Sequence, residues 1–217
     1  MTADRDSAAI VADLLETAGK TYAEQAGIRL RDTPAPLYQL LVLTLLLSAR
    51  ISSDIAVEAA RQVFDAGWTT GPALRGAHRR DVIAALGKAH YVRYDEGTAT
   101  ALADAAELLG ERYGDDLRRL AANAEYDADK VAAKLQEFKR IGDTGSHIFL
   151  REVQDVWDWV GPQFDAKATD GAERLGLPTD PDELGALAPR GRRAALAAAL
   201  VRAELDDDVV GAVRAAR

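Results

Sequence analysis

The sequence predicts an all-α protein. Apolar residues recur at three- and four-residue spacing along most of the chain, which is the period of an amphipathic helix. Alternating runs of β-branched residues, which are typical of strands, are nearly absent. Alanine, a strong helix former, is the commonest residue, and 48% of the residues are hydrophobic, which excludes disorder as the main state.

Breakers and caps divide the first half of the chain into separate elements. Gly27 marks one helix end, and Pro34 and Pro36 precede a segment that is apolar on all sides, as expected for a buried helix. Ser52 can cap the next helix, and Gly114 ends a long amphipathic one. The predicted helices are 7–27, 37–49, 55–66, 80–86 and 94–113.

Two helices of the second half nearly touch in sequence. Residues 127–138 and 146–159 are both amphipathic, and only residues 139–145 separate them. Gly161 and Pro162 then break the chain. Short helices are predicted at 167–175, 181–187 and 192–205, before a frayed end that runs from acidic to basic.

Composition and charge exclude several classes of protein. The 217 residues include no cysteine, so disulfides, thiolate zinc sites and cysteine-held iron–sulfur clusters are impossible. No N-terminal stretch is typical of a signal peptide, and the longest apolar run, 37–47, is shorter than the about 20 residues of a membrane span. We therefore expect a soluble cytoplasmic protein. A net charge of -8 argues against a surface that is basic throughout.

The segment 129–156 joins two apolar-faced helices through a turn too short for an ordinary loop. Such a turn needs a residue that tolerates unusual backbone dihedrals, and Gly142 is expected to provide it. Successive backbone N–H groups and the start of the second helix would then face solvent, as in an anion site suited to phosphate. The alternative is an ordinary pair of antiparallel helices with a capped second helix.

This turn resembles the helix-hairpin-helix motif of the endonuclease III-like (HhH-GPD) superfamily of DNA glycosylases, which runs Leu-Pro-Gly-Val-Gly-x-x-x-Ala with apolar residues following. Arg140 replaces the first glycine of that motif. An arginine there would either strain the turn or add a phosphate contact of its own. The positions that match are Phe138, Ile141, Gly142, Ser146, Ile148 and Leu150.

Two further stretches resemble the same superfamily. Residues 164–178 look like its Val-Asp-Thr-His-Val-x-Arg-Leu-x-x-Arg-Leu-Gly-Leu-Pro segment without gaps, which puts Asp165 on the catalytic aspartate. Residues 45–54 are similar to Leu-Leu-Ser-Ala-Gln-Thr-x-Asp, with one extra residue and with Arg50 where glutamine is usual. Without the resemblance, Asp165 is an N-cap and Arg50 an exposed residue at a helix end.

The resemblance implies hydrolysis of the N-glycosidic bond of a base that has left the DNA stack. An ionised Asp165 would stabilise the positive charge that develops on the sugar and orient the attacking water. Arg50 would fill the gap in the stack or contact the unpaired base. Thr144 stands where bifunctional members carry the lysine that forms an imine, so we expect a monofunctional enzyme unless Lys167 or Lys139 takes over that role.

A fold and a partner follow from the same resemblance. Two helical domains are expected: 31–156, containing the helix-hairpin-helix at about 129–156, and 1–30 with 157–217. The partner would be double-stranded DNA containing a lesion or a mismatch, bound by a cytoplasmic, nucleoid-associated monomer without an iron–sulfur cluster or other cofactor. The expected catalytic residues are Asp165 and Thr144, and the expected DNA contacts are Arg50, Lys139, Arg140, Ile141, Gly142, Gly145 and Ser146.

Basic residues are concentrated in two stretches, 75–93 and 134–151. They could form a local positive strip for backbone phosphates despite the acidic total, or they could belong to a mixed, solvated surface. A monofunctional DNA glycosylase of base excision repair is the leading hypothesis. The alternatives are a catalytically silent DNA-binding relative of the same fold and a helical protein-interaction module.

Overall fold

Every regular element of the described residues is helical, which confirms the all-α class. The computed structural model describes the backbone of residues 2–216 and the side chains of residues 6–216. In this part of the chain, no helix combines the length and the apolar character that crossing a membrane requires. The α-helices are α1 (Thr2–Ala18), α2 (Tyr22–Gln25), α3 (Pro34–Leu47), α4 (Ser53–Asp65), α5 (Gly71–Arg75), α6 (Arg79–Lys88), α7 (Asp95–Tyr113), α8 (Leu117–Asn123), α9 (Ala128–Leu135), α10 (Asp143–Val153), α11 (Ala166–Arg174), α12 (Pro181–Leu187), α13 (Arg193–Leu205) and α14 (Asp207–Ala215), with a 3-10 turn at Asp158–Val160.

The chain divides into two compact units. Ala23–Phe149 forms one, which we call the hairpin unit, and the residues up to Tyr22 form the other together with Leu150 and beyond, which we call the terminal unit. Residues 23–30 and 150–156 therefore lie in the opposite unit from the one that the sequence suggested. That the units fold as separate domains stays a prediction.

Helix α3 is the centre of the hairpin unit. Proline in its first turn fixes the backbone for helix entry, and the following leucines are buried on all sides because α4, α7 and α8 contact this helix. Ser52 then caps α4 by accepting a hydrogen bond from the N–H of Ile55. The buried helix predicted at 37–49 is thus present, and it begins three residues earlier.

An ion pair ties α5 to the C-terminal end of α7 in the same unit. Arg75 donates two hydrogen bonds to the carboxylate of Asp115, at 2.7 and 2.8 Å, and a third to the carbonyl oxygen of Ala106 at 2.6 Å. The hydrogen bonds from Arg75 hold the pKa of Asp115 below the ordinary value for an aspartate. Asp115 adopts a positive φ of 63° directly after Gly114, where α7 ends.

The terminal unit is built on α13, whose alanine-rich surface is buried almost all round. Helix α11 approaches α13 so closely that a Cβ at Gly171 would lie 2.8 Å from the carbonyl carbon of Leu200 and nearer still to its oxygen. Only glycine allows this approach without a backbone shift. Asp155 caps α13 by accepting from the N–H groups of Arg193 and Ala194.

Three predicted elements differ from those observed. The helix predicted at 7–27 stops at Ala18, because Arg192 and Arg202 donate to the carbonyl groups of residues 18–20 and so satisfy the end of α1. The helix predicted at 146–159 begins earlier and ends at Val153. The end predicted to be frayed contains α14, capped by Asp206.

Candidate functional site

The turn between α9 and α10 contains the left-handed residue, but that residue is Arg140 and not Gly142. The N–H of Ile141 donates to the carbonyl of Phe138 at 2.9 Å, so residues 138–141 form a four-residue turn with Arg140 third. Arg140 has a φ of 72°, and Lys139 before it has a negative φ, which is the pattern of a type II turn. The expectation that Gly142 supplies the unusual dihedral is therefore wrong.

The side chain of Arg140 is used inside the hairpin unit. Its Nη1 donates to the hydroxyl of Thr98 on α7 at 2.7 Å, and Thr98 is fully buried. Its guanidinium also lies over Gly97, where a Cβ would come within 3.3 Å of Cζ and closer to Nη2. Of the two alternatives for this arginine, a strained turn and an added phosphate contact, the observed interactions match the first and anchor the strained residue to α7.

The first turn of α10 is open to solvent. Gly142, Asp143 and Thr144 are exposed, and a Cβ at Gly142 would meet nothing within 4 Å. The carbonyl of Gly142 accepts from the N–H of Ser146 at 2.9 Å, so Gly142 occupies the N-cap position. The first N–H groups of a helix have no partner within it and carry partial positive charge, which suits an anion. His147 Nε2 lies 3.6 Å from Asp143 Oδ1 on the same turn, a contact that is ionic only with a protonated imidazole.

Gly145 and Ser146 lie on the opposite, buried side of this turn. A Cβ at Gly145 would lie 2.5 Å from the hydroxyl oxygen of Ser48, so glycine lets α10 pass the end of α3 without moving that side chain. The hydroxyl of Ser146 donates to the carbonyl of Asp143 at 2.7 Å. The Ser146 side chain is enclosed, and its hydroxyl stabilises the turn. The DNA contact expected of Ser146 stays a prediction.

Two basic residues expected to contact DNA lie on the surface of the hairpin unit. The Lys139 side chain is 64% exposed, and its ammonium group lies 3.2 Å from Asp104. Arg50 is exposed on the bend after α3, two residues beyond Ser48, and makes no hydrogen bond or ion pair with the described residues. Because Ser48 lies against Gly145, this bend is next to the start of α10. Ile141 is buried, so only its backbone can take part.

Three of the five lysines and arginines in the basic stretch 75–93 lie next to acidic residues. Arg75 is paired with Asp115, Arg79 lies 3.6 Å from Glu96, and Arg80 lies 3.3 Å from the neighbouring Asp81. These pairs favour the mixed, solvated surface over a continuous positive strip in this stretch.

Asp165 is fixed at the N-terminus of α11 in the terminal unit. Its Oδ1 accepts from the N–H of Ala168 at 3.0 Å, which confirms the N-cap interpretation. Its Oδ2 accepts from Nη1 of Arg151 at 2.5 Å. The side chains of Arg151 and Asp165 are 4% and 14% exposed, so the pair is largely withdrawn from water. Lys167 is exposed in the first turn of the same helix.

Arg151 and Gln154 are the site residues that the sequence did not reveal. Gln154, three residues beyond Arg151 and directly after the last residue of α10, is buried and bonds both backbone groups of Gln163. Gln154 Nε2 donates to the Gln163 carbonyl and Gln154 Oε1 accepts from the Gln163 N–H, both at 3.0 Å. The signal was weak, since both residues look like the polar face of an amphipathic helix. The clue that could have found them is their position beside apolar residues, since Arg151 follows Leu150 and Gln154 follows Val153.

The structure thus places the predicted site residues in both units. The hairpin turn, Thr144 and Arg50 belong to the hairpin unit, whereas Asp165 and Lys167 belong to the terminal unit. Among the described residues, no group of histidine, aspartate and glutamate side chains could hold a metal ion.

Comparison with protein-family models finds no match for the chain, and comparison with curated proteins finds none either. Among solved structures, the chain is similar to a trapped endonuclease III–DNA covalent intermediate, an estranged-adenine complex, with a TM-score of 0.49 and 12% sequence identity. The similarity covers 84% of this chain and 82% of that one. Because the TM-score and the sequence identity are both low, the all-α class rests on the helices of this chain, and the case for function rests on the residues described above.

Proposed function

We propose that the chain is a DNA glycosylase that hydrolyses the bond between a damaged or mispaired base and its sugar in double-stranded DNA. The observation that carries the proposal is the fixed carboxylate of Asp165, which has one oxygen bonded to the N–H of Ala168 and the other to Arg151. Stabilising a sugar that becomes cationic requires a carboxylate held in place before the reaction.

The hairpin unit supplies the proposed DNA contacts. A phosphate would bind at Gly142 and the first N–H groups of α10, where a side chain is absent and the surface is open. Lys139 would add positive charge beside it, and Arg50 would reach the bases from the neighbouring bend. Arg140 supports this surface through its hydrogen bond to Thr98 on α7, and its side chain is not itself proposed as a DNA contact.

The enzyme is proposed to be monofunctional. Thr144 is exposed in the first turn of α10, and a hydroxyl cannot form an imine with the sugar. Borohydride reduction of the enzyme on a damaged duplex should therefore trap no covalent adduct. An adduct would contradict the proposal, and repeating the trapping with Lys167→Gln and Lys139→Gln would identify the amine.

The activity is tested by measuring base release from duplexes that carry uracil, an oxidised purine, an oxidised pyrimidine, an alkylated purine or a mispaired adenine. The parent should release at least one of these bases, and Asp165→Asn should release none while still binding the duplex. Release by Asp165→Asn at the parental rate would exclude the carboxylate as the catalytic group.

The phosphate contact is tested by Gly142→Ser. Serine is among the preferred N-cap residues, so α10 should stay intact. The serine hydroxyl oxygen would accept hydrogen bonds from the N–H groups that are proposed to bind the phosphate. Affinity for a duplex with an abasic analogue should fall. Lys139→Glu should also lower affinity and flatten its salt dependence, whereas Lys130→Glu, an exposed charge reversal on α9, serves as the matched control.

A catalytically silent DNA-binding protein is the second candidate. The pairing of Asp165 with Arg151 favours it, because an adjacent guanidinium offsets the negative charge that the reaction would need. A parent that binds the abasic duplex and releases no base from any substrate would decide for this candidate. For either function we propose a cytoplasmic, nucleoid-associated monomer that works without an iron–sulfur cluster.

A further inference from the structure

Arg151 is a buried arginine, and arginine is rarely found in a protein interior. Its side chain is 4% exposed, its Nε is buried without a hydrogen-bond partner, and its guanidinium carbon lies 5.6 Å from the ring centre of Tyr22. Within the described part of the chain, the only hydrogen bond of the guanidinium is the one to Asp165. Burying a cation with an unsatisfied donor is unfavourable, and an apolar residue of similar size would pack there at lower cost. Stability alone therefore does not account for Arg151.

The residue directly after α10 also holds the chain that leads to Asp165. Gln154 lies three residues beyond Arg151 and bonds both the N–H and the carbonyl group of Gln163. Its Nε2 also donates to the carbonyl of Arg151 at 2.9 Å. Two residues at the C-terminal end of α10 and just beyond it thus fix the carboxylate of Asp165 and the backbone two residues before it.

We propose that Arg151 is the positioning residue for Asp165, so that the carboxylate is in its reactive orientation only while this pair is intact; the inference rests on the proposed glycosylase function. An ionised carboxylate has about four acceptor positions. The N–H of Ala168 and Nη1 of Arg151 take one on each oxygen, which stops rotation of the group and leaves a lone pair on each oxygen for the reaction. Small displacements of a catalytic group have large effects, since a misplacement of about 1 Å can lower the rate by about 10²-fold.

The test compares Arg151→Met and Arg151→Lys with Arg202→Met. Arg202 is a matched control because it also belongs to the terminal unit and lies over the ring of Tyr22, at 4.4 Å, but donates to the carbonyls of Ala18 and Lys20 instead of to Asp165. The rate of base release is measured in a single turnover, with enzyme in excess, on the duplex that the parent cleaves. Affinity is measured separately on a duplex with a tetrahydrofuran abasic analogue.

Arg151→Met should lower the single-turnover rate at saturation by about 10²-fold, with unchanged affinity for the abasic analogue. Arg151→Lys should recover part of the rate, and added guanidinium should raise the rate of Arg151→Met but not that of Asp165→Asn. Arg202→Met should keep the parental rate. Melting temperatures of all variants are recorded, and rates are compared only where each variant is folded.

Several outcomes would overturn the inference while the proposed function stands. One is an active parent with Arg151→Met as fast as Arg202→Met. Another is a faster Arg151→Met, which would mean that the pair restrains Asp165. A third is a slow Arg151→Met that neither lysine nor guanidinium improves and that loses affinity equally, which would indicate a merely structural role. No base release by the parent from any duplex overturns the proposed function, and the inference with it.

Discussion

Replacing Asp165 removes two structural interactions together with the carboxylate, and this sets the size of the expected loss of stability. In Asp165→Ala, the N-cap of α11 is lost, which costs about 1 kcal/mol. Arg151 is also left buried and unpaired, which costs about 3 to 5 kcal/mol when a buried pair loses one partner. Because Asp165 is 14% exposed and water can reach the vacated place, we take the lower end, for a total of about 4 kcal/mol.

Asp165→Asn should be much milder. Asparagine caps helices as well as aspartate does, and its amide oxygen can still accept from Arg151. Only the charge on the acceptor is lost, which we expect to lower the free energy of unfolding by about 1 to 2 kcal/mol. Since small proteins are stable by only about 5 to 15 kcal/mol, the alanine variant risks partial unfolding at assay temperature. The asparagine variant is therefore the valid test of catalysis.

The measurement is urea unfolding of the parent, both variants, Arg151→Met and the double variant Arg151→Met/Asp165→Asn. Circular dichroism at 222 nm follows the helices of the whole chain. Fluorescence of the stacked Trp157 and Trp159 adds a signal from the terminal unit, although Trp68 also contributes to emission. If the two transitions do not coincide, the units unfold separately and each transition is fitted by itself.

The double variant should cost less than the sum of its two single changes, because Arg151→Met removes the pair altogether and Asp165→Asn already weakens it. Equal effects of alanine and asparagine at Asp165 would refute the argument, and so would additive effects in the cycle. Either result would mean that the hydrogen bond between Arg151 and Asp165 contributes nothing measurable to the folded state.

Three further predictions concern stability. Gly171→Ala should lower the free energy of unfolding by about 1 to 3 kcal/mol because its Cβ would collide with α13, whereas Gly211→Ala, in open space on α14, should raise it by up to about 1 kcal/mol; similar effects in urea unfolding would contradict the close packing. Arg140→Gly should relieve a left-handed backbone worth about 1 kcal/mol but lose a charged hydrogen bond worth about 1.5 to 3 kcal/mol, so a more stable variant would be the contrary result. The stabilisation from Arg75 and Asp115 should be complete above the ordinary pKa of an aspartate and fade as pH falls through the lowered pKa of Asp115, so the stability difference between the parent and Arg75→Met, measured by urea unfolding across acid pH, should shrink there; a constant difference would count against it.

The helices could largely be predicted because they depend on local signals. The apolar run after Pro34, the serine cap of α4 and the left-handed Gly114 at the end of α7 all act within a few residues of the feature that they determine. The early end of α1 could not be predicted in the same way. Its last carbonyl groups are satisfied by Arg192, the N-cap residue of α13, and by Arg202 within α13, both more than 170 residues away in the sequence.

The hairpin turn shows why residue type alone misled the prediction. Glycine is the usual left-handed residue, and the turn contains one at position 142. Which residue takes the positive φ is decided by the hydrogen bond between Phe138 and Ile141, which makes Arg140 the third residue of the turn. The sequence could not give that register, nor the buried hydroxyl of Thr98 that anchors the arginine.

At the C-terminal end of α10, the residue types predict exposure to solvent, but the structure buries the side chains. Arg151, Glu152 and Gln154 are all buried, although their types predict a solvated helix face. Such residues are unfavourable in a core unless their hydrogen bonds are used, and two of these three bond the segment that ends at Asp165. Local rules therefore fail at the place where the resemblance puts the catalytic aspartate. A site that must keep one carboxylate immobile requires buried polar groups around it, even though burying them costs stability.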